Sequence, residues 1–308
     1  MTVTRAPCAR AYSELVGGRA SVTILAIVAT LLPPSAAGQR DEPLPMSLES
    51  MLTTERAFAA RAQVIGWKDA FLEYFSDAAV GFDEAGAGYA KEQIRKKPDP
   101  PKDFRLLWEP RYGDVAGSGD LGYLTGPSQT ISPQHNRGRP QHTVYLSMWR
   151  RERDGTFKVV MDVVVPTPRS ATFPAGFTRA PHANRFAGDY DDRTPPLGAA
   201  DGVMNSALRS SQVRGYRGRL APGARLHRRN LLPLTGDASI LQWLATQPAF
   251  AMADTRFSEA SRSGDLGYTW GDYAVTSRGG RDATLGFYVR VWARERTGQW
   301  KIVLDVLH

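Results

Sequence analysis

The chain has 308 residues, 42% hydrophobic and 23% charged, with a formal net charge of +8. That length suits about two domains of the usual ~100–200 residues, each able to bury its own core. The one cysteine, Cys8, falls in an N-terminal leader, so disulfides, thiolate catalysis and cysteine-ligated zinc are excluded from the mature protein.

Arg5, Arg10 and Arg19 precede an apolar run from Val22 to Leu32, followed by Pro33-Pro34-Ser35-Ala36-Ala37-Gly38. This pattern predicts a secretory signal peptide over residues 1–37, cleaved after Ala37, with Ser35 and Ala37 as the small residues a signal peptidase needs. The rival reading is an uncleaved anchor, but the run falls well short of the roughly 20 apolar residues that span a bilayer. Cys8 lies on the wrong side of the run to carry a lipid after cleavage. The expectation is a soluble protein, periplasmic or secreted, with no stable membrane insertion. Cleavage leaves 36 basic and 30 acidic residues, a net +6. Arg214, Arg217, Arg219, Arg225, Arg228 and Arg229 concentrate some of that charge, where an anionic-surface site competes with a plain solvated face. No nucleic-acid reading motif accompanies them, so no nucleic-acid partner is expected.

After a short linker (38–44), a first domain is predicted over residues 45–165. Leu48, Met51, Leu52, Phe58, Ala59 and Ala62 recur at three- and four-residue steps and predict one helix with a single buried stripe. Gly66 interrupts it. A shorter helix follows through Trp67, Ala70, Phe71 and Tyr74, closed by Ser76-Asp77 before a strand around Ala79 to Phe82. From Trp108 onward, aromatic and β-branched runs punctuated by glycines predict strands. Ser118-Gly-Asp-Leu-Gly-Tyr123 suits a tight hairpin, with Leu121 and Tyr123 on one face. A second hairpin is predicted at Asp154-Gly155. In the penultimate strand Tyr145, Ser147, Trp149, Arg151 and Arg153 share a face. In the last strand strict alternation puts Phe157, Val159, Met161 and Val163 in the core, and Lys158, Val160, Asp162 and Val164 on an opposite, partly covered face.

Residues 166–196, rich in Pro, Gly, Ala and Arg, read as a linker. A second domain is predicted over 197–308, because the chain repeats itself. Glu55 to Val80 lies over Asp201 to Leu226 without a gap at an offset of 146. The hexapeptide recurs at Ser263 to Tyr268, and Trp149 to Val163 recurs as Trp292 to Val306 at an offset of 143. Thus Tyr288, Arg290, Trp292, Arg294 and Arg296 share a face of the second penultimate strand. Trp300, Ile302, Leu304 and Val306 form the core face of the last strand, with Lys301, Val303, Asp305 and Leu307 opposite. Leu266, Tyr268, Trp270 and, less regularly, Tyr273 form an aromatic row, either sheet packing or a pocket lining.

Helices followed by a sheet carrying S-G-D-L-G-Y and W-x-R-E-R-x-G-x-x-K-V-V-L-D-V resemble the nuclear transport factor 2-like superfamily, in its SnoaL-like and domain-of-unknown-function branches. The resemblance covers Pro45 to Val165 and Leu197 to His308. It implies an α+β fold of two cone-shaped domains, each a strongly bent antiparallel sheet wrapped round helices with a pocket at its open end. Family members dimerise through the convex sheet face, so the two domains are expected to pair as an internal pseudodimer.

Some relatives are enzymes that set a pocket carboxylate against a donor such as Tyr. Asp162, Asp305, Tyr123 and Tyr268 are the repeated residues of those kinds. Against a catalytic role, alternation puts both aspartates on the face away from the core, where they would pair with Lys158 and Lys301 or with neighbouring arginines. For binding, the face with Tyr145 and Trp149, its counterpart with Tyr288, Arg290 and Trp292, and Trp270 offer stacking and charge. The same aromatics and arginines would equally form the seam between the domains. The five histidines are scattered, so no metal or other cofactor is expected. The leading reading is a binder of a small apolar or aromatic ligand without catalysis. The alternatives are a ketosteroid isomerase-like or SnoaL-like isomerase, cyclase or hydrolase, or a protein-interaction module.

Overall fold

The stripe read from the first helix is the buried side of α1 (Met46–Ile65), where Leu48, Met51, Leu52, Phe58 and Ala62 are buried together with Glu55. Gly66 takes a positive φ of 86°, which a glycine tolerates and which separates α1 from α2 (Trp67–Tyr74). The computed structural model describes residues 44–83, 86–132, 136–181, 196–276 and 283–308; the expected leader and residues 182–195 of the expected linker lie outside the described residues. The next strand, β1 (Phe75–Asp83), begins directly after α2, so Ser76 and Asp77 belong to the strand and do not close the helix.

The first half continues with β2 (Gly86–Tyr89), α3 (Ala90–Lys96), β3 (Arg105–Trp108), β4 (Tyr112–Val115), β5 (Leu121–Ile131), β6 (Gln141–Arg151) and β7 (Phe157–Pro166). The second contains α4 (Leu197–Leu208), α5 (Gln212–Tyr216), β9 (Leu220–His227), β10 (Leu234–Thr235), α6 (Asp237–Leu244), β11 (Phe250–Ala260), β12 (Leu266–Thr276), β13 (Ala283–Arg294) and β14 (Trp300–Leu307). Between them, part of the predicted linker forms β8 (Thr178–Arg179), which pairs with β4. The strand orders match: β2-β1-β7-β6-β5-β4-β8 in one sheet, β10-β9-β14-β13-β12-β11 in the other. The sheets are mixed and not wholly antiparallel, since β1 joins β7, and β9 joins β14, in parallel. No described helix is long and apolar enough to cross a membrane.

Each sheet packs one face on its own helices. Phe58, Leu124, Trp149, Phe157 and Val159 belong to the first such core, and Met204, Leu208, Tyr288, Trp292 and Ile302 to the second. The opposite faces share a third core, in which Tyr123, Leu146, Met148, Met161 and Val163 meet Tyr268, Val289, Val291, Leu304 and Val306.

Strict alternation fails in both last strands at the same place. Met148 pairs with Met161 but Trp149 with Val159, leaving Val160 as an extra residue; Val291 pairs with Leu304 but Trp292 with Ile302, leaving Val303 extra. A β-bulge of this kind flips every later side chain to the other face. Phe157 and Val159 therefore pack on the helices whereas Met161 and Val163 pack between the sheets, correcting the single core face expected of them. Trp300 and Ile302 diverge from Leu304 and Val306 in the same way.

Both hexapeptides form the expected tight turns, with Gly119 and Gly264 at φ 68° and 66°. The two turns also hydrogen-bond reciprocally. Ser118 N donates to Ser263 Oγ and Ser263 N to Ser118 Oγ, both at 3.1 Å, while Gly117 N donates to Asp265 at 3.0 Å and Arg262 N to Asp120 at 3.1 Å. Contacts in which i meets j and j meets i are what a two-fold axis produces. Asp265 is buried and also accepts from Ser261 and Ser263. Asp265→Ala should lower unfolding free energy by about 2 kcal/mol, the loss of several hydrogen bonds to one buried carboxylate. Asp120→Ala, at a wetter position, should cost less; urea denaturation of the two variants checks the order.

Candidate functional site

On the helix side of the first sheet lies a pair of carboxylates that, among the described residues, form no ion pair. Glu55 projects from the buried stripe of α1 toward β6. Its Oε1 accepts from Trp108 Nε1 at 2.6 Å, and its Oε2 accepts from Trp149 Nε1 at 2.7 Å and Ser147 Oγ at 2.9 Å. Burial raises its pKa, and these hydrogen bonds work in the opposite direction. The Tyr145 hydroxyl is buried beside this carboxyl without a well-formed hydrogen bond, and its pKa is raised well above the ordinary value, by burial first and by Glu55 next.

Asp162 reaches the same cup because the Val160 bulge turns it there, opposite Ser147 on β6. This corrects its expected place on the outer face. It is half-buried, and among the described residues it has neither a hydrogen bond nor an ion pair; the expected Lys158 donates instead to the Glu73 carbonyl at 2.8 Å. Desolvation, reinforced by the charge of Glu55 and opposed by Lys97, pushes the Asp162 carboxyl up to about 8. Two residues on, Val164 is 40% exposed on the same face, at the edge of the cup. Such a carboxyl is protonated or ionised with comparable ease near neutral pH, which fits it to donate to or accept from a ligand.

The second half carries the same frame with different chemistry. Asp201 stands where Glu55 stands, Tyr288 for Tyr145, Arg290 for Ser147, Trp292 for Trp149 and Asp305 for Asp162. The shorter Asp201 does not hold the indole; Trp292 Nε1 donates instead to Thr269 Oγ1 at 3.0 Å. Arg290, fully buried, bridges the two carboxylates, with Nη1 2.6 Å from Asp201 and Nε 3.0 Å from Asp305. Arg228 adds a contact of 2.7 Å to Asp305, whose other oxygen accepts from Tyr216 at 2.9 Å. Tyr288 and Thr255 each donate to Asp201 at 2.6 Å. Two arginines thus face two aspartates in one connected network inside the second cup.

Of the residues singled out from the sequence, Tyr145, Trp149 and Asp162 come together in the first cup, and Tyr288, Arg290, Trp292 and Asp305 in the second. Trp149 and Trp292 are wholly buried and act as hydrogen-bonded walls. These faces look onto helices, so of the two readings left open for them the seam is not the one the structure has. Tyr123, Tyr268 and Trp270 instead pack between the sheets, away from the aspartates. Tyr268 donates to Glu259 at 3.0 Å, and Trp270 packs edge-on against Phe82. Tyr273 leaves that row and faces the second cup. Nor do the six arginines form one solvated face: Arg228 is internal, and Arg225 lies 4.1 Å over the Tyr112 ring. His135 and His182 lie outside the described residues, among which no three His, Asp, Glu or Cys side chains converge as a metal site would require.

Glu55 and Asp201 went unread as site residues although their positions marked them. Glu55 follows Met51 by four residues and precedes Phe58 by three, placing a carboxylate on the buried stripe. Asp201 repeats it at the head of the gapless alignment.

No protein-family model matches the chain, and no curated protein matches it. Among solved structures, part of the chain is similar to a candidate ketosteroid isomerase from Parabacteroides distasonis ATCC 8503, at 10% identity over 39% of this chain and 92% of that one, with a TM-score of 0.33. An NTF-2-like protein of unknown function from Shewanella oneidensis MR-1 is similar at 12% identity over 35% and 93%, with a TM-score of 0.29. Another, from Burkholderia xenovorans LB400, is similar at 15% identity over 36% and 79%, with a TM-score of 0.27.

Because the folded-state pKa of Asp162 rises from an ordinary 3.8 to about 8, the native state holds a proton there that the unfolded chain releases. Its contribution to stability is complete below pH about 4 and is lost as pH climbs through about 8. Urea midpoints measured across that window should fall with pH in the parent and fall less steeply in Asp162→Asn. In the second cup, Arg290→Met leaves two buried aspartates short of a cation and should cost about 3–5 kcal/mol. Adding Asp201→Asn and Asp305→Asn should recover much of that loss in the same denaturation measurement.

Proposed function

We propose that the protein is an exported pair of nuclear transport factor 2-like domains, residues 45–165 and 197–308, joined back to back as an internal pseudodimer, and that its first cup binds a small, largely apolar or aromatic molecule. The matched strand orders, the shared core and the reciprocal turn contacts support the pairing. The observation that carries the ligand site is the contrast between the cups. Arg290 and Arg228 occupy and neutralise the second, whereas the first keeps a carboxyl without a partner, Asp162, beside the exposed edge of Val164. A hydroxyl or carbonyl on the ligand would meet Asp162, and its body would lie against the apolar edge.

A second reading, an isomerase or cyclase working by proton transfer, is favoured by one specific observation: the Asp162 carboxyl titrates where a general base or acid is most effective, in a cup that also holds the Tyr145 hydroxyl. In this reading Asp162 would move the proton, and Glu55, saturated by three donors, would position the wall.

Native mass spectrometry of the protein recovered from the exported fraction tests the site. A metabolite should accompany the parent chain and be absent from Val164→Arg, which blocks the edge of the first cup. Retention of the same metabolite by that variant would place the site elsewhere. Once the molecule is known, Asp162→Asn separates the two readings: a binder keeps its ligand chemically unchanged in either protein, whereas an enzyme loses about 10²-fold or more of its turnover.

A further inference from the structure

A second concavity lies between the two halves and shares neither Asp162, Tyr145 nor Val164 with the first cup. It is a cleft of about 1410 Å³, larger than a single small ligand requires. Phe82 of β1 stacks on Phe287 of β13 with centroids 3.7 Å apart, and Phe287 stacks on His308 at 4.6 Å. This ladder of three rings crosses from one half to the other and forms an apolar wall. Burial, together with Arg229, lowers the pKa of His308, so the imidazole joins the ladder as a neutral ring. Leu285, 74% exposed, extends the apolar surface to the rim.

Among the described side chains the charges around this wall that lack an ion pair are of one sign. Lys96, Lys97 and Arg229 line the cleft and are exposed, whereas its acid, Asp272, is tied to Arg256 at 2.6 Å. Arg228, bound to Asp305 and lying 5.8 Å over the Trp243 ring, lines the same cleft. Stacked rings beside cations that form no ion pair among the described residues select for an apolar body that carries a negative head. We infer that this cleft is a binding site for an amphiphilic organic anion, an aryl or alkyl body bearing one carboxylate or sulfonate. The inference is independent of what the first cup binds.

Titration with the aryl sulfonate 8-anilinonaphthalene-1-sulfonate at low ionic strength tests it on the full chain. Saturable, blue-shifted fluorescence is expected, displaced by decanoate at least tenfold more effectively than by decanol. Lys96→Gln combined with Arg229→Gln should weaken the probe by about tenfold, the effect of losing charge-assisted contacts to the head group. Lys97 is left intact because it also faces Asp162. Leu285→Glu, a surface change that brings an acid to the rim, should weaken the probe as well. Absence of saturable binding, equal displacement by decanol, or unchanged affinity in both variants would overturn the inference.

Discussion

The rest of the structure depends on one extra residue in each last strand. A regular strand has two faces for its whole length, but this sheet needs three services from one strand: packing on helices at its start, packing on a second sheet further on, and a carboxylate returned to the helix side. Val160 and Val303 meet that need by opening a bulge opposite the Met148–Trp149 and Val291–Trp292 steps. Without the bulge, Met161 and Val163 would turn into the cup and Asp162 would be driven between two apolar sheets. Burying a lone carboxylate there costs several kcal/mol. The bulge therefore serves sheet packing and site chemistry together, as bulges near functional sites commonly do.

From that shared frame the two cups diverge through a few substitutions. A glutamate on α1 is long enough to collect two indole donors and a serine hydroxyl. An aspartate on α4 is one methylene shorter, and Arg290 reaches across to it from β13. The consequence is electrostatic. In the second cup each carboxylate meets a guanidinium. In the first, Glu55 and Asp162 share a poorly solvated space, where burial and the charge of Glu55 raise the proton affinity of Asp162, with Lys97 as a counterweight. Buried ion pairs contribute little net stability but are costly to break singly, so the second cup is read as a locked support and the first as the adaptable one.

Much of this was legible in the residues themselves. Helix periodicity located α1 and its buried face, and glycine-centred turns located the hairpins, including the two S-G-D-L-G-Y turns, whose mutual hydrogen bonds the residues did not announce. The face assignments were less legible, because counting by twos assumes an unbroken ladder and nothing in K-V-V-M-D-V announces a bulge. Asp162 and Asp305 were accordingly put on the wrong side, and the aromatic and arginine face of β6 and β13, left open between a ligand face and a seam, looks onto helices. Glu55 is a different lesson. Its place on an apolar helical stripe was visible, and a carboxylate at such a position is a stronger pointer to a site than any repeated tyrosine.

The central claim is that the bulge delivers Asp162 into a cup where, among the described residues, no cation is paired with it. Carbon-13 detected titration of the Asp162 carboxyl group in the intact protein measures this directly. A midpoint near pH 8, well above the ordinary value for an aspartate, is the result expected. A midpoint near 4 would mean that the side chain is solvated or paired with a lysine on the outer face, and would contradict the account.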